Sequence, residues 1–103
     1  MPAADVRHDP ARHRFEIFLD GTLAGQLDYE PEDETLALTH TTVLPQYEGR
    51  GVGSTLVVEA LKQIRESGGQ VLPYCPFIPK VILDNPEFID LVPVDARPQF
   101  GLE

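Results

Sequence analysis

Gln46-Tyr47-Glu48-Gly49-Arg50-Gly51-Val52-Gly53 joins a β-like run, Leu36 to Val43, to an amphipathic run that ends near Glu66. Glycines let a backbone turn tightly and approach a ligand closely. A helix that follows such a turn aims its unpaired N–H groups and the positive end of its dipole into it, so the occupant that suits the turn is an anion of phosphate type. A nucleotidase phosphate loop needs Lys-Ser/Thr after its last glycine, to reach the phosphates and Mg²⁺, but Gly53 is followed by Ser54-Thr55. A dinucleotide fingerprint needs G-x-G-x-x-G after the first strand of a βαβ unit. Here the spacing is G-x-G-x-G, and roughly three strands' worth of sequence precedes it.

On the N-terminal side, Phe15, Ile17 and Leu19 alternate, Asp20-Gly21 is a type I′ turn signal, and Leu23, Leu27 and Tyr29 continue as a strand. This pattern predicts a hairpin. Glu30-Pro31-Glu32-Asp33 reads as a turn, and Thr35 to Leu44 as a third strand that Pro45 stops. Regular alternation puts Leu36, Leu38, His40 and Thr42 on one face and Ala37, Thr39, Thr41 and Val43 on the other. On the C-terminal side, Val52, Leu56, Val57, Ala60, Leu61 and Ile64 have helical spacing, and Ser67-Gly68-Gly69 ends that helix. Gln70 to Cys75 reads as a buried strand, and a crossover helix of this length makes it parallel to its predecessor. The glycine loop therefore lies at the C-terminal end of a strand, where open α/β sheets bind ligands. Pro76 to Asp84 reads as a short helix with Ile78, Val81 and Ile82 facing the sheet, and Glu87 to Val92 as a final strand or a packed tail.

With 103 residues the chain is expected to form one domain, 1–103, whose ends, Met1 to Pro10 and Pro93 to Glu103, are expected to be loose. Seventeen acidic residues against eight basic give a formal charge of −9, which argues against nucleic-acid and anionic-membrane partners and suits an amine or basic peptide. No apolar run is long enough to span a bilayer and no signal-peptide pattern opens the chain, so it reads as cytoplasmic. Cys75, the single cysteine, has no internal disulfide partner, and His8, His13 and His40 are not at metal-ligand spacing with it, so no metal site is predicted.

Gln46, Gly49 and Gly51 fill the pattern Gln/Arg-x-x-Gly-x-Gly/Ala, the acetyl-CoA pyrophosphate loop of the GNAT N-acetyltransferases. Together with His40-Thr41-Thr42-Val43 before it and Leu72-Pro73-Tyr74-Cys75 and Asn85-Pro86-Glu87-Phe88 after it, the chain from about Phe15 to Val92 resembles the small, single-domain GNAT-like proteins of the YjdJ type. One departure is Pro76-Phe77, where those proteins more often carry a small polar or aromatic residue and then Tyr. The resemblance implies an α/β, GNAT-like fold, with a mainly antiparallel sheet followed by one parallel β-α-β crossover. It further implies acetyl-CoA as cosubstrate and transfer of the acetyl group to an amine on a small molecule or protein. Carried over by position, Thr42, Val43 and Leu44 hold the pantetheine arm, and Gly49, Arg50, Gly51, Val52, Gly53 and Ser54 hold the phosphates. Arg50 and Lys80 are the candidate cations, Lys80 toward an adenosine phosphate.

Acetyl transfer from a thioester also needs a donor for the carbonyl, a base for the amine proton and a group to stabilise the thiolate. Cys75 ends a predicted strand and precedes a short helix, a position that suits either a nucleophile that takes the acetyl group or a small core residue. His40, on the neighbouring strand, is the candidate base if it meets Cys75 across the sheet, and otherwise an exposed or backbone-bonded histidine. Tyr74 is a candidate acid whose parity points it away from Cys75, and nothing singles out Glu48 or Glu59 as a base. Full-sized GNAT enzymes place one or two helices between the first strands to build the acceptor pocket, and here only Asp20-Gly21 fills that space. The competing readings are an acyl-CoA-binding or protein-interaction module with little or no turnover, and a plain structural domain.

Overall fold

A computed structural model describes residues 3–102. Five strands lie side by side in sequence order: β1 (Ala4–Asp9), β2 (Arg14–Leu19), β3 (Thr22–Glu32), β4 (Thr35–Val43) and β5 (Gln70–Pro73). The first four pair antiparallel, and β5 runs parallel to β4, joined to it through α1 (Val52–Glu66). A second helix, α2 (Phe77–Asp84), and three 3-10 segments, Pro45–Tyr47, Pro86–Leu91 and Val94–Phe100, complete the described residues. This is the mixed sheet with one parallel crossover that the sequence predicts.

Local chemistry accounts for the elements. Asp20 and Gly21 have φ of 50° and 83°, the pair of positive values that a type I′ turn between twisted strands requires. Phe15, Ile17 and Leu19 alternate with less buried neighbours and face α1 across the sheet. From α1, Val52, Leu56, Val57, Ala60, Leu61 and Ile64 are buried against the strands, each large aliphatic side chain contributing about 1.5–3 kcal/mol by leaving water. The helix closes where Gly68 adopts φ 79° and the Gly69 N–H returns to the Ile64 carbonyl at 3.0 Å.

Both chain ends depart from the expectation that they are loose. Ala4–Asp9 pairs with β2 along its whole length, and the Gln63 side chain of α1 donates to the Val6 carbonyl at 2.9 Å. Ala4 and Val6 are the apolar residues of this strand and neither is buried, so ladder bonds rather than buried side chains hold it, and hydropathy carries little trace of it. Its charges suit an edge strand, where they discourage further pairing. At the other end, Val94–Phe100 is ordered into 3-10 turns, Arg97 Nε donates to the Val92 carbonyl at 2.9 Å, and Leu102 is buried. Met1, Pro2 and Glu103 lie outside the described residues. Glu87 to Val92 adds no strand; it is the packed tail, with Phe88, Leu91 and Val92 in the core.

The regular alternation expected along β4 also fails, at one residue. Tyr29 of β3 pairs with Leu38 and Asp28 with His40, so Thr39 is an extra residue in β4. Its hydroxyl donates to the Asp28 carbonyl at 3.2 Å and fixes the bulge. Beyond it the faces exchange. Thr41 pairs with the buried Leu27, whereas His40, opposite Asp28, is exposed.

Candidate active site

Pairing between β4 and β5 reaches Leu38 and Pro73, and one further bond runs from the Cys75 N–H to the Leu38 carbonyl at 3.0 Å. After that the two diverge, and from Thr39 to Val43 the edge of β4 facing away from β3 has no strand partner among the described residues. A cleft of about 640 Å³ opens along this stretch. Its walls are Thr41, Thr42 and Val43 of β4, Tyr47, Glu48, Gly49 and Gly51 of the loop, Val52, Gly53 and Ser54 of α1, and Phe77 of α2.

The loop is shaped by its glycines. Gly49 and Gly51 have φ of 78° and 75°, where a side chain would cost roughly 1–2 kcal/mol. Gly51 caps α1, and both the N–H and the hydroxyl of Thr55 donate to its carbonyl at 3.1 Å. That first turn-closing bond leaves the N–H groups of Val52, Gly53 and Ser54 with no helical carbonyl to meet, at the positive end of a 15-residue helix. All three residues line the cleft.

Of the residues singled out from the sequence, Thr42, Val43, Gly49, Gly51, Val52, Gly53 and Ser54 come together around this one cleft. Leu44, Arg50 and Lys80 do not line it: Leu44 gives its N–H to the Ala24 carbonyl at 2.9 Å, and the other two are exposed. Among the described residues no lysine or arginine lines the cleft, and Glu48 is its one carboxylate. Its attraction for an anion therefore rests on main-chain N–H groups and the helix end.

His40 and Cys75 are not brought together. The Thr39 bulge turns His40 to the opposite face and sets Thr41 in the place that regular alternation gives it. The Cys75 thiol, 8% exposed, donates to the Thr41 hydroxyl at 3.5 Å, just behind the cleft wall. Tyr74 points away, half exposed, with its ring edge-on to Phe100 at 5.3 Å.

Sequence reasoning missed Thr41, Tyr47 and Phe77 as cleft residues, and it missed Gly25. A Cβ on Gly25 would lie 2.6 Å from the Thr42 carbonyl oxygen and 3.5 Å from Ile17 Cγ2. Glycine within a strand pattern is the available signal for such a close approach of two backbones.

A family model described as GCN5-related N-acetyl-transferase matches residues 14–91, from β2 through α1, β5 and α2 to the 3-10 segment that ends at Leu91. The chain belongs to this family. A crystal structure of a GNAT family acetyltransferase from Brucella melitensis in complex with acetyl-CoA is similar in fold and sequence, with a TM-score of 0.50 and 28% identity. The likeness covers 58% of this chain and 45% of that one, so the matched part spans less than half the length of that chain. No curated protein matches the sequence.

Proposed function

We propose that the chain is an acetyl-CoA-dependent N-acetyltransferase that moves the acetyl group to an amine on a small molecule or protein. The observation that carries this reading is the junction of two unpaired main-chain surfaces in one cleft: the free edge of β4 at Thr41–Val43 and the N–H groups that open α1. The first suits the amide-bearing pantetheine arm and the second a diphosphate. The Brucella protein's complex with acetyl-CoA supports the same ligand here.

In this arrangement the thioester lies toward Thr41, with Cys75 behind it. The amine nitrogen attacks the thioester carbonyl carbon, the C–S bond breaks with its electron pair leaving on the CoA sulfur, and the proton shed by the nitrogen passes through solvent to that thiolate. A covalent route places Cys75 Sγ on the carbonyl first, its thiol proton leaving with CoA as the free thiol, and the amine then takes the acetyl group while its proton returns to Cys75 Sγ. His40, on the far face of β4, serves neither route.

The competing reading, an acyl-CoA-binding module with little turnover, is favoured by a specific observation. The turn Asp20-Gly21 leaves no helix between β2 and β3 to form an acceptor wall, and Tyr47 and Glu48 are the titratable side chains that line the cleft. Incubation with acetyl-CoA and a panel of amines, followed by mass spectrometry, separates the two. Acetylated amine supports transfer, with acetyl-Cys75 marking the covalent route, and saturable binding without product supports the module. Absence of any CoA-dependent rise in melting temperature removes both.

A further inference from the structure

The third glycine of the loop has no conformational need to be glycine. Gly49 and Gly51 occupy the left-handed region, whereas Gly53 sits in the first turn of α1 outside it. Alanine is favoured over glycine in a helix interior by about 1 kcal/mol, so backbone propensity does not call for glycine here. Packing does. A Cβ on Gly53 would meet Phe77 Cε2 at 3.3 Å, Phe77 Cζ at 3.4 Å and Val43 Cγ2 at 3.4 Å. The last residue of β4, the second of α1 and the first of α2 thus converge on one point beside the cleft.

We infer that Phe77 is a positioning residue for the acyl-carrier arm, and that Gly53 lacks a side chain so that the Phe77 ring can stand clear of the arm's path. The inference rests on the acetyl-CoA reading above. Phe77 lines the cleft and is 37% exposed, although it opens a helix whose Ile78, Val81 and Ile82 are buried. It has no hydroxyl, so it offers the arm apolar contact and no proton. The methylenes and geminal dimethyl group of pantetheine match such a wall, and Val43 supplies the facing apolar surface. An added methyl at position 53 requires the ring to give by a few tenths of an ångström, and the cleft is the open space beside it. Gly53 is in this account a spacer for Phe77, while Gly49 and Gly51 shape the diphosphate turn.

Calorimetric titration of wild type, Gly53→Ala, Phe77→Leu and the double variant with two ligands tests this, using coenzyme A, which carries the arm, and ADP, which carries a diphosphate without it. Gly53→Ala keeps the main-chain N–H that faces the diphosphate, so it is expected to weaken coenzyme A binding about fivefold, equivalent to ~1 kcal/mol, beyond any loss it causes for ADP. Shortening the ring relieves the crowding, so the double variant is expected to bind coenzyme A as well as Phe77→Leu does alone. Circular dichroism melts of each variant establish that it is folded at the titration temperature. Unaltered coenzyme A binding by Gly53→Ala overturns the inference, as does an equal loss for ADP, which would set the added methyl against the diphosphate and not against Phe77. A wild-type chain that binds neither ligand overturns the acetyl-CoA reading and this inference with it, whereas wild-type binding with an insensitive position 53 overturns this inference alone.

Discussion

Gly25→Ala probes how tightly β3 is set beneath the strand that borders the cleft. The added Cβ would lie 2.6 Å from the Thr42 carbonyl oxygen and 3.4 Å from Val43 Cα. The first distance is about 0.7 Å short of an ordinary C···O approach of ~3.3 Å. Backbone, unlike the end of a flexible side chain, cannot swing aside, so relief requires β3 and β4 to separate where the Leu44 N–H meets the Ala24 carbonyl at 2.9 Å. Overpacking of this kind costs about 1–3 kcal/mol. Gly25 does not have positive φ, so at an uncrowded site the same change would stabilise by about 0.4–1 kcal/mol through the unfolded chain. The sign therefore separates crowding from flexibility. For a domain of this size the expected loss in melting temperature is roughly 5–20 °C, read by circular dichroism. Because Thr42 and Val43 bound the cleft, acetyl-CoA affinity at a temperature where the variant is folded should also fall. An unchanged or raised melting temperature would refute the close backbone contact and the support it gives β4.

Three further outcomes follow from the same geometry. Leu56→Ala, at a fully buried α1 position, should cost about 2–5 kcal/mol in a denaturant melt. Gly51→Ala forces a side chain onto φ 75° at the start of α1, so it should cost roughly 1 kcal/mol of stability and weaken diphosphate binding, measured by melt and by ADP titration. The His8 ring stacks on Phe15 at 4.3 Å and bonds to the Tyr29 hydroxyl, and desolvation there holds its pKa below the ordinary 6.5, with Asp9 partly opposing the shift. The unfolded chain therefore binds a proton more readily than the folded one. Stability should be full above about pH 6.5 and decline modestly as the pH falls through and below that value, a slope that His8→Phe should remove in melts run across pH.

The parts of this fold that were legible in the sequence are those where one residue type does one job. Asp20-Gly21 sets a hairpin, the spacing from Val52 to Ile64 sets a helix, and a crossover of that length sets the parallel pair. Gly49 and Gly51 announce the turn because few other residues tolerate their φ. β1 was hidden because it is held by main-chain bonds, by Gln63 and by the contacts of His8 with Phe15 and Tyr29, none of which leaves a hydrophobic pattern. The Thr39 bulge was hidden because a threonine in a strand looks the same whether it pairs or stands extra, yet it decides which side chain Cys75 meets. Gly53 was legible as a glycine but not as a spacer, since its reason lies 24 positions away in Phe77.

Two-dimensional ¹H–¹⁵N spectra of the labelled protein, recorded while coenzyme A is added, address most directly the claim that the opening amides of α1 grip a diphosphate. The account predicts that the largest shifts, saturating with ligand, fall on the N–H signals of Gly49, Gly51, Val52, Gly53 and Ser54, with smaller ones at Thr42 and Val43. Signals that stay fixed at millimolar coenzyme A, or shifts gathered on a different surface of the sheet, would contradict it.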